Sequence, residues 1–264
     1  MIVRLKLNIS GGQKMPNIVL TFDCEGAHHD KCYTKEYIKV LEREFVPATW
    51  LIHSSLRDPS ANTHLYHSEF FHMIPSWHEV GSKINFENER GYIESPKERG
   101  DLIRVARDTL CAHNINPTAV RAGSFALLAS DITDLEESGF LVDCSIIPDA
   151  DYKMFVDWKG APRTPYHSDS SDLKKRGSNK ILHVPVLTDN HEYCYLDKGF
   201  ELVKQMIAAH IHEPVLCLGI RDYYDSVEDL YKIIRYLKGH EADFTTLTQT
   251  ANKFYEHHKA PFSH

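Results

Sequence analysis

Within eight residues the chain carries Asp23, Cys24, Glu25, His28, His29 and Asp30. Carboxylate, thiolate and imidazole all suit zinc, so one expectation is a site for one divalent, zinc-like ion on Asp23, Glu25, His28 and His53. The same carboxylates also suit proton transfer. Lys83, Arg121 and Arg221 supply the opposite charge. A protonated lysine binds no metal, yet its ammonium can fill the electrostatic place of one, balancing Asp23 and Glu25 with no cofactor at all. Three such cations also suit an acidic sugar, because an arginine fork matches a carboxylate.

Other reactive residue types weigh less. Cys24 reads as a small buried side chain, since a neighbouring carboxylate raises a thiol pKa and works against a nucleophile. The histidines 53, 64, 67, 72 and 78 follow no zinc spacing. Of these, His53 at a strand end and His78 beside a motif are the site candidates. His183, alternating with apolar neighbours in Ile-Leu-His-Val-Pro-Val, reads as a strand residue with its own partners. Trp158 invites a lid that stacks on a sugar, whereas Trp50 and Trp77 read as packing.

Positioning such residues takes a scaffold, and apolar runs alternate with helical patterns along the chain. Strands are expected at 17–22, 48–53, 79–84, 119–122, 141–146, 181–187, 215–220 and 243–247. Their continuous Val, Ile and Leu character suggests burial on both faces, as in a parallel sheet. Ser95-Pro96-Lys97-Glu98 opens a helix with an N-cap, a first-turn proline and a capping glutamate. Ser226 with Asp229 opens another that stops at Gly239, and a third follows Thr34. This pattern fits one α/β domain, a barrel, over residues 15–264. Residues 1–14 read as an extra strand and a flexible segment, and residues 148–180, without sustained periodicity, as a candidate lid.

Composition narrows the function classes. The chain has 264 residues, 42% of them hydrophobic and 25% charged, with a formal charge of −7, so nothing draws it to nucleic acid. No apolar run reaches the roughly eighteen residues of a membrane span. Six widely spaced cysteines and an N-terminus unlike a signal peptide suggest a cytoplasmic protein.

Five stretches, in order, resemble motifs of the polysaccharide deacetylases of carbohydrate esterase family four, the NodB-homology group. Val19-Leu-Thr-Phe-Asp-Cys24 is similar to a first strand ending in T-F-D-D, Pro47-Ala-Thr-Trp-Leu51 to A-T-F-F, and His78-Glu-Val-Gly81 to G-H-E-I-G. Val120-Arg-Ala-Gly-Ser-Phe125 resembles the R-x-P-Y-G turn, and Gly139-Phe-Leu-Val-Asp-Cys-Ser the G-Y-x-x-D-S-S strand. The match runs from about Met15 to Phe254. It implies a distorted (β/α) barrel of seven or eight strands, with the site at the carboxyl ends.

The resemblance also implies hydrolysis of an N-acetyl group on a carbohydrate by a metal held on Asp and two His, with Asp as base and a late-strand His as acid. Asp23 falls on the base and Arg121 on the residue that orients it. The ligands fall on Cys24, on Lys83 and on Glu87, or Asn85 in a variant spacing; the acid falls near Gly219 and Ile220. The expected activity is therefore that of a deacetylase-like hydrolase of surface-polysaccharide or O-antigen synthesis, with a catalytically inactive sugar-binding relative as the alternative. Asp23, Arg121 and Lys83 are the expected catalytic residues. Glu25, His78, Arg221, Asp222 and Trp158 are the expected contacts to an amino sugar, acidic if the cations meet it.

Overall fold

Side chains alternate across a strand, and the first strand uses this to build two layers at once. In β1 (Asn17–Cys24), Ile18, Leu20, Phe22 and Cys24 join an outer core with Tyr37, Ile38, Leu41, Leu230 and Ile233. Val19, on the opposite face, joins an inner core with Leu51, Ala119 and Cys217. Thr21 and Asp23 follow Val19 inward. The computed structural model describes residues 15–26, 31–55, 63–88, 91–152 and 154–259. The expected extra strand at residues 1–14 lies outside them.

Eight further strands complete one sheet: β2 (Thr49–His53), β3 (Glu79–Ile84), β4 (Ala119–Ala122), β5 (Val142–Asp143), β6 (Tyr166–His167), β7 (Leu182–His183), β8 (Val215–Arg221) and β9 (Asp243–Thr245). The order is β8-β1-β2-β3-β4-β5-β7-β6, with β9 beside the first residues of β1. Every pair is parallel except β6 with β7. Beyond β7 the chain reaches β8 through single bridges, Val186 to Cys217 and Tyr195 to Gly219, with a short antiparallel hairpin of residues 188–189 and 192–193 between them. Seven parallel strands thus close into the distorted (β/α) barrel, with an irregular seam.

The expected strands at 141–146 and 181–187 shrink to two residues each, β5 and β7. Their continuations make isolated bonds, such as Val186 N–H to the Ile146 carbonyl at 2.8 Å, rather than a ladder. The helices are α1 (Thr34–Glu44), α2 (Thr63–Glu69), α3 (Pro96–Cys111), α4 (Ile132–Glu137), α5 (Phe200–Ala209), α6 (Val227–Lys238) and α7 (Leu247–Lys259). Ser95 caps α3 as its sequence implies, accepting from the Glu98 N–H. Ser226 does not cap α6 with its side chain; its N–H donates to the Tyr37 hydroxyl at 3.0 Å. Gly239 ends α6 in a right-handed conformation that needs no glycine.

The stretch 148–180 is packed rather than lid-like. Trp158 is buried, and its indole N–H donates to the Phe125 carbonyl at 2.9 Å, which removes it from any sugar-stacking role. A buried chain of polar groups fastens the return of this excursion: Asp143 pairs with His183 Nδ1 at 2.8 Å, and His183 Nε2 meets Ser168 Oγ at 2.9 Å. All three side chains are fully buried, so this Ser-His-Asp array is a clamp without access for a substrate. Replacing His183→Ala should strip Asp143 Oδ2 of its partner, leaving Asp143 only its bonds from Ser145 and Ser168 only that from Asn179, and lower unfolding free energy by about 2–4 kcal/mol, read from a urea midpoint.

Candidate active site

The inward parity of four strands falls on Asp23, Lys83, Arg121 and Arg221, each near a C-terminal strand end. Register sets Asp23 beside Arg221, and Lys83 between His53 and Arg121. These side chains face a cavity of about 240 Å³, to which loops add Glu25, Asn85, Glu87 and Tyr223. Gly123 lets the turn after β4 approach the wall, for a Cβ there would collide with Asn85.

Asp23 is the hub. One carboxylate oxygen accepts from Arg121 at 2.8 Å, and the other from the Tyr195 hydroxyl at 2.8 Å, with the Lys83 ammonium 3.4 Å away. Arg121 also donates to the Cys144 carbonyl at 3.0 Å, to Thr21 Oγ1 at 2.9 Å and to the Tyr195 hydroxyl oxygen at 3.1 Å. Burial would raise the Asp23 pKa, but Lys83 and Arg121 outweigh it and hold the carboxyl well below the usual range. Asp23 is thus held as an anion, with both carboxylate oxygens already accepting hydrogen bonds. Lys83, 6% exposed, also pairs with Glu25. Burial would lower its pKa, but Asp23 and Glu25 outweigh that and keep it charged beyond the ordinary lysine range.

Tyr195 and its neighbours escaped the sequence reading, because they sit on the irregular seam and only the closure of the barrel brings them in. The Tyr195 ring lies against Gly219, where a Cβ would run into it. It fills the space above the position on which the leaving-group acid was expected. Arg221 is held by Asp197 at 2.8 Å and by the Tyr193 hydroxyl at 3.1 Å. Each of the three cations, Lys83, Arg121 and Arg221, therefore has a carboxylate partner among the described residues. The alternating Tyr193 and Tyr195 were the only signal in the sequence.

Several expected residues stand elsewhere. Asp222 is fully buried beneath the loop after β1, not in the cleft. It accepts from the N–H groups of Glu25 at 3.0 Å and Gly26 at 2.7 Å, from Thr34 at 2.8 Å and from the Tyr66 hydroxyl, so it fastens the segment that carries Glu25. His78 precedes β3 at the opposite end of the barrel, where its Nδ1 accepts from the Trp50 indole at 3.0 Å. His53 is buried at the end of β2 and does not line the cavity. His28 lies outside the described residues.

A divalent metal does not fit the described residues around Asp23. Among the described residues no three His, Cys, Asp or Glu side chains gather to hold one. Cys24 faces the outer core, and burial pushes its thiol well up, away from the thiolate a metal needs. An ammonium occupies the remaining place beside Asp23.

No family model matches the sequence, and no curated protein sequence matches it. Solved structures do match. A Mycobacterium smegmatis protein assigned to the polysaccharide deacetylases shares 13% identity at a TM-score of 0.69, covering 95% of this chain and 93% of its own. The peptidoglycan deacetylase PdaC of Bacillus subtilis shares 15% at 0.52, covering 93% and 96%. BA3943 of Bacillus anthracis, a CE4 family pseudoenzyme, shares 11% at 0.58, covering 91% and 67%. The chain has the NodB-type fold of the CE4 polysaccharide deacetylases, a fold that also includes a pseudoenzyme. No helix among the described residues is long and apolar enough to cross a membrane.

Two outcomes follow from the packing. Gly219→Ala should displace the Tyr195 ring and cost about 1–3 kcal/mol, with tyrosine fluorescence and a urea midpoint as readouts. Burial pushes the His78 pKa down to about 4 from 6.5. The unfolded chain then binds a proton that the folded chain refuses between those values, so stability from this group is full above pH 6.5 and falls toward pH 4, by up to roughly 3 kcal/mol. His78→Gln, which keeps an acceptor for Trp50, should flatten that part of the stability curve.

Proposed function

We propose that the protein is deacetylase-like and receives an N-acylated amino sugar in the cleft around Asp23, Lys83 and Arg121, as a step of surface-polysaccharide synthesis of the O-antigen kind. The observation that carries this reading is the convergence of a fixed anion, a fixed ammonium and a second carboxylate at the strand ends of a CE4-type barrel. Six unpaired cysteines suit a reducing, cytoplasmic compartment.

The reaction is hydrolysis of the acyl amide. Water adds to the carbonyl carbon, the carbonyl oxygen takes the negative charge beside Lys83, and the C–N bond breaks as the amine leaves with a proton. Glu25, whose side chain is 21% exposed against 5% for Asp23, is the carboxylate placed to take the proton of the water and return it to the amine. A second reading, binding without turnover, is favoured by one observation: Asp23 already accepts from Arg121 and Tyr195 and is drawn to Lys83.

Acetate release and calorimetric binding should be measured in parallel with N-acetylglucosamine oligomers and an N-acetylated uronic acid sugar. We expect release from the neutral sugar, lost 10²–10⁴-fold in Glu25→Gln. Binding with no release would establish the second reading. Neither binding nor release with any of these sugars would sink both.

A further inference from the structure

We infer that Lys83 is the resident cation of the cleft: its ammonium holds, between Asp23 and Glu25, the place that a divalent metal would otherwise take. Three independent features converge on it. The side chain is at an inward position next to the C-terminal end of β3, and nearly all of it is buried. Its nitrogen pairs with both carboxylates, 3.4 Å from Asp23 Oδ2 and in direct contact with Glu25. Among the described residues around it there is no alternative donor set for a metal, since Cys24 turns to the outer core and Glu87 accepts from Ser124 at 3.2 Å.

An ammonium and a divalent ion solve the same electrostatic problem in different ways. Both offset the cost of placing two carboxylates in a cavity, but the ammonium directs three N–H groups and accepts no ligand lone pair. With Glu25 accepting one of them and Asp23 paired by charge at 3.4 Å, an N–H remains that suits a ligand oxygen, either the carbonyl of an amide or a hydroxyl. The site is therefore complete as folded, and its ligand meets a hydrogen-bond donor of fixed charge. The ligand part of this inference rests on the sugar reading above; the cation part does not.

The test is charge rescue by a metal alone. Thermal unfolding of the full chain is followed with EDTA and with MnCl₂ for the wild type, Lys83→Arg, Lys83→Ala and the double variant Lys83→Ala/Asp23→Asn. The wild type and Lys83→Arg should unfold at the same temperature in both media, within about 1 °C. Lys83→Ala should unfold about 5–10 °C lower in EDTA, because two buried carboxylates lose their partner, and regain at least half of that in Mn²⁺. The double variant should show no such recovery.

A wild type that loses stability in EDTA, or carries an equivalent of metal that Asp23→Asn removes, would overturn the inference. So would a Lys83→Ala protein as stable as the wild type and indifferent to Mn²⁺. Should Lys83→Ala fold only when expressed with Mn²⁺, the inference stands; should it not fold at all, the wild type and Lys83→Arg in EDTA decide it. Absence of sugar binding alongside the expected metal behaviour would count against the sugar reading alone.

Discussion

Asp23 is a carboxylate at the mouth of an apolar barrel, and an unpaired charge there would be costly enough to unfold the site. Every group around it works to offset that cost. Arg121 reaches it from β4, Lys83 from β3, and the Tyr195 hydroxyl from the seam that closes the barrel. Arg121 in turn binds the Cys144 carbonyl just after β5 and Thr21 on β1. One ionic group thus joins β1, β3, β4, the end of β5 and the seam. This network joins the two sides of the irregular closure together with a few backbone bonds, Leu187 N–H to the Cys217 carbonyl at 2.8 Å and Gly219 N–H to the Cys194 carbonyl at 3.0 Å.

The same network limits the chemistry available. A carboxylate with both oxygens taken and its pKa held down accepts a proton less readily, which is why the proposed reaction assigns proton transfer to the less enclosed Glu25. Glu25 itself depends on Asp222, which sits outside the cleft yet binds the N–H groups of Glu25 and Gly26. Its burial raises the Asp222 pKa, while the donors from Tyr66, Thr34 and the loop act against that rise. Asp222 is a positioning residue for the loop, and the adjacent Arg221 serves the wall through Asp197 and Tyr193. Two neighbours in sequence therefore support opposite sides of one site, because successive strand-end residues point to opposite faces.

Away from the cleft, the excursion 148–180 illustrates how a segment with no periodicity can still be ordered. Trp158, Tyr166 and Leu173 bury themselves against the barrel, and the Asp143-His183-Ser168 clamp satisfies the polar groups that go with them. A hydrogen-bonded array of this composition gains catalytic meaning only where a substrate can reach it. Here burial makes it structural.

By itself the sequence determined the barrel, since continuous apolar runs at regular intervals and the caps of α3 follow from local burial and backbone chemistry. Its period also set Asp23, Lys83, Arg121 and Arg221 on the inward parity at or beside strand ends, where all four line one cavity. Only the tertiary structure decided the rest. Tyr195 enters the site through an irregular bridge to Gly219 that no period announces. His78 and Asp222 leave it because one stands at the wrong end of β3 and the other on the wrong face of the chain beyond β8. Whether the three cations would face an acidic ligand or be paired within the protein depended on Asp23, Glu25 and Asp197, whose distances to them are properties of the closed barrel and not of any local segment.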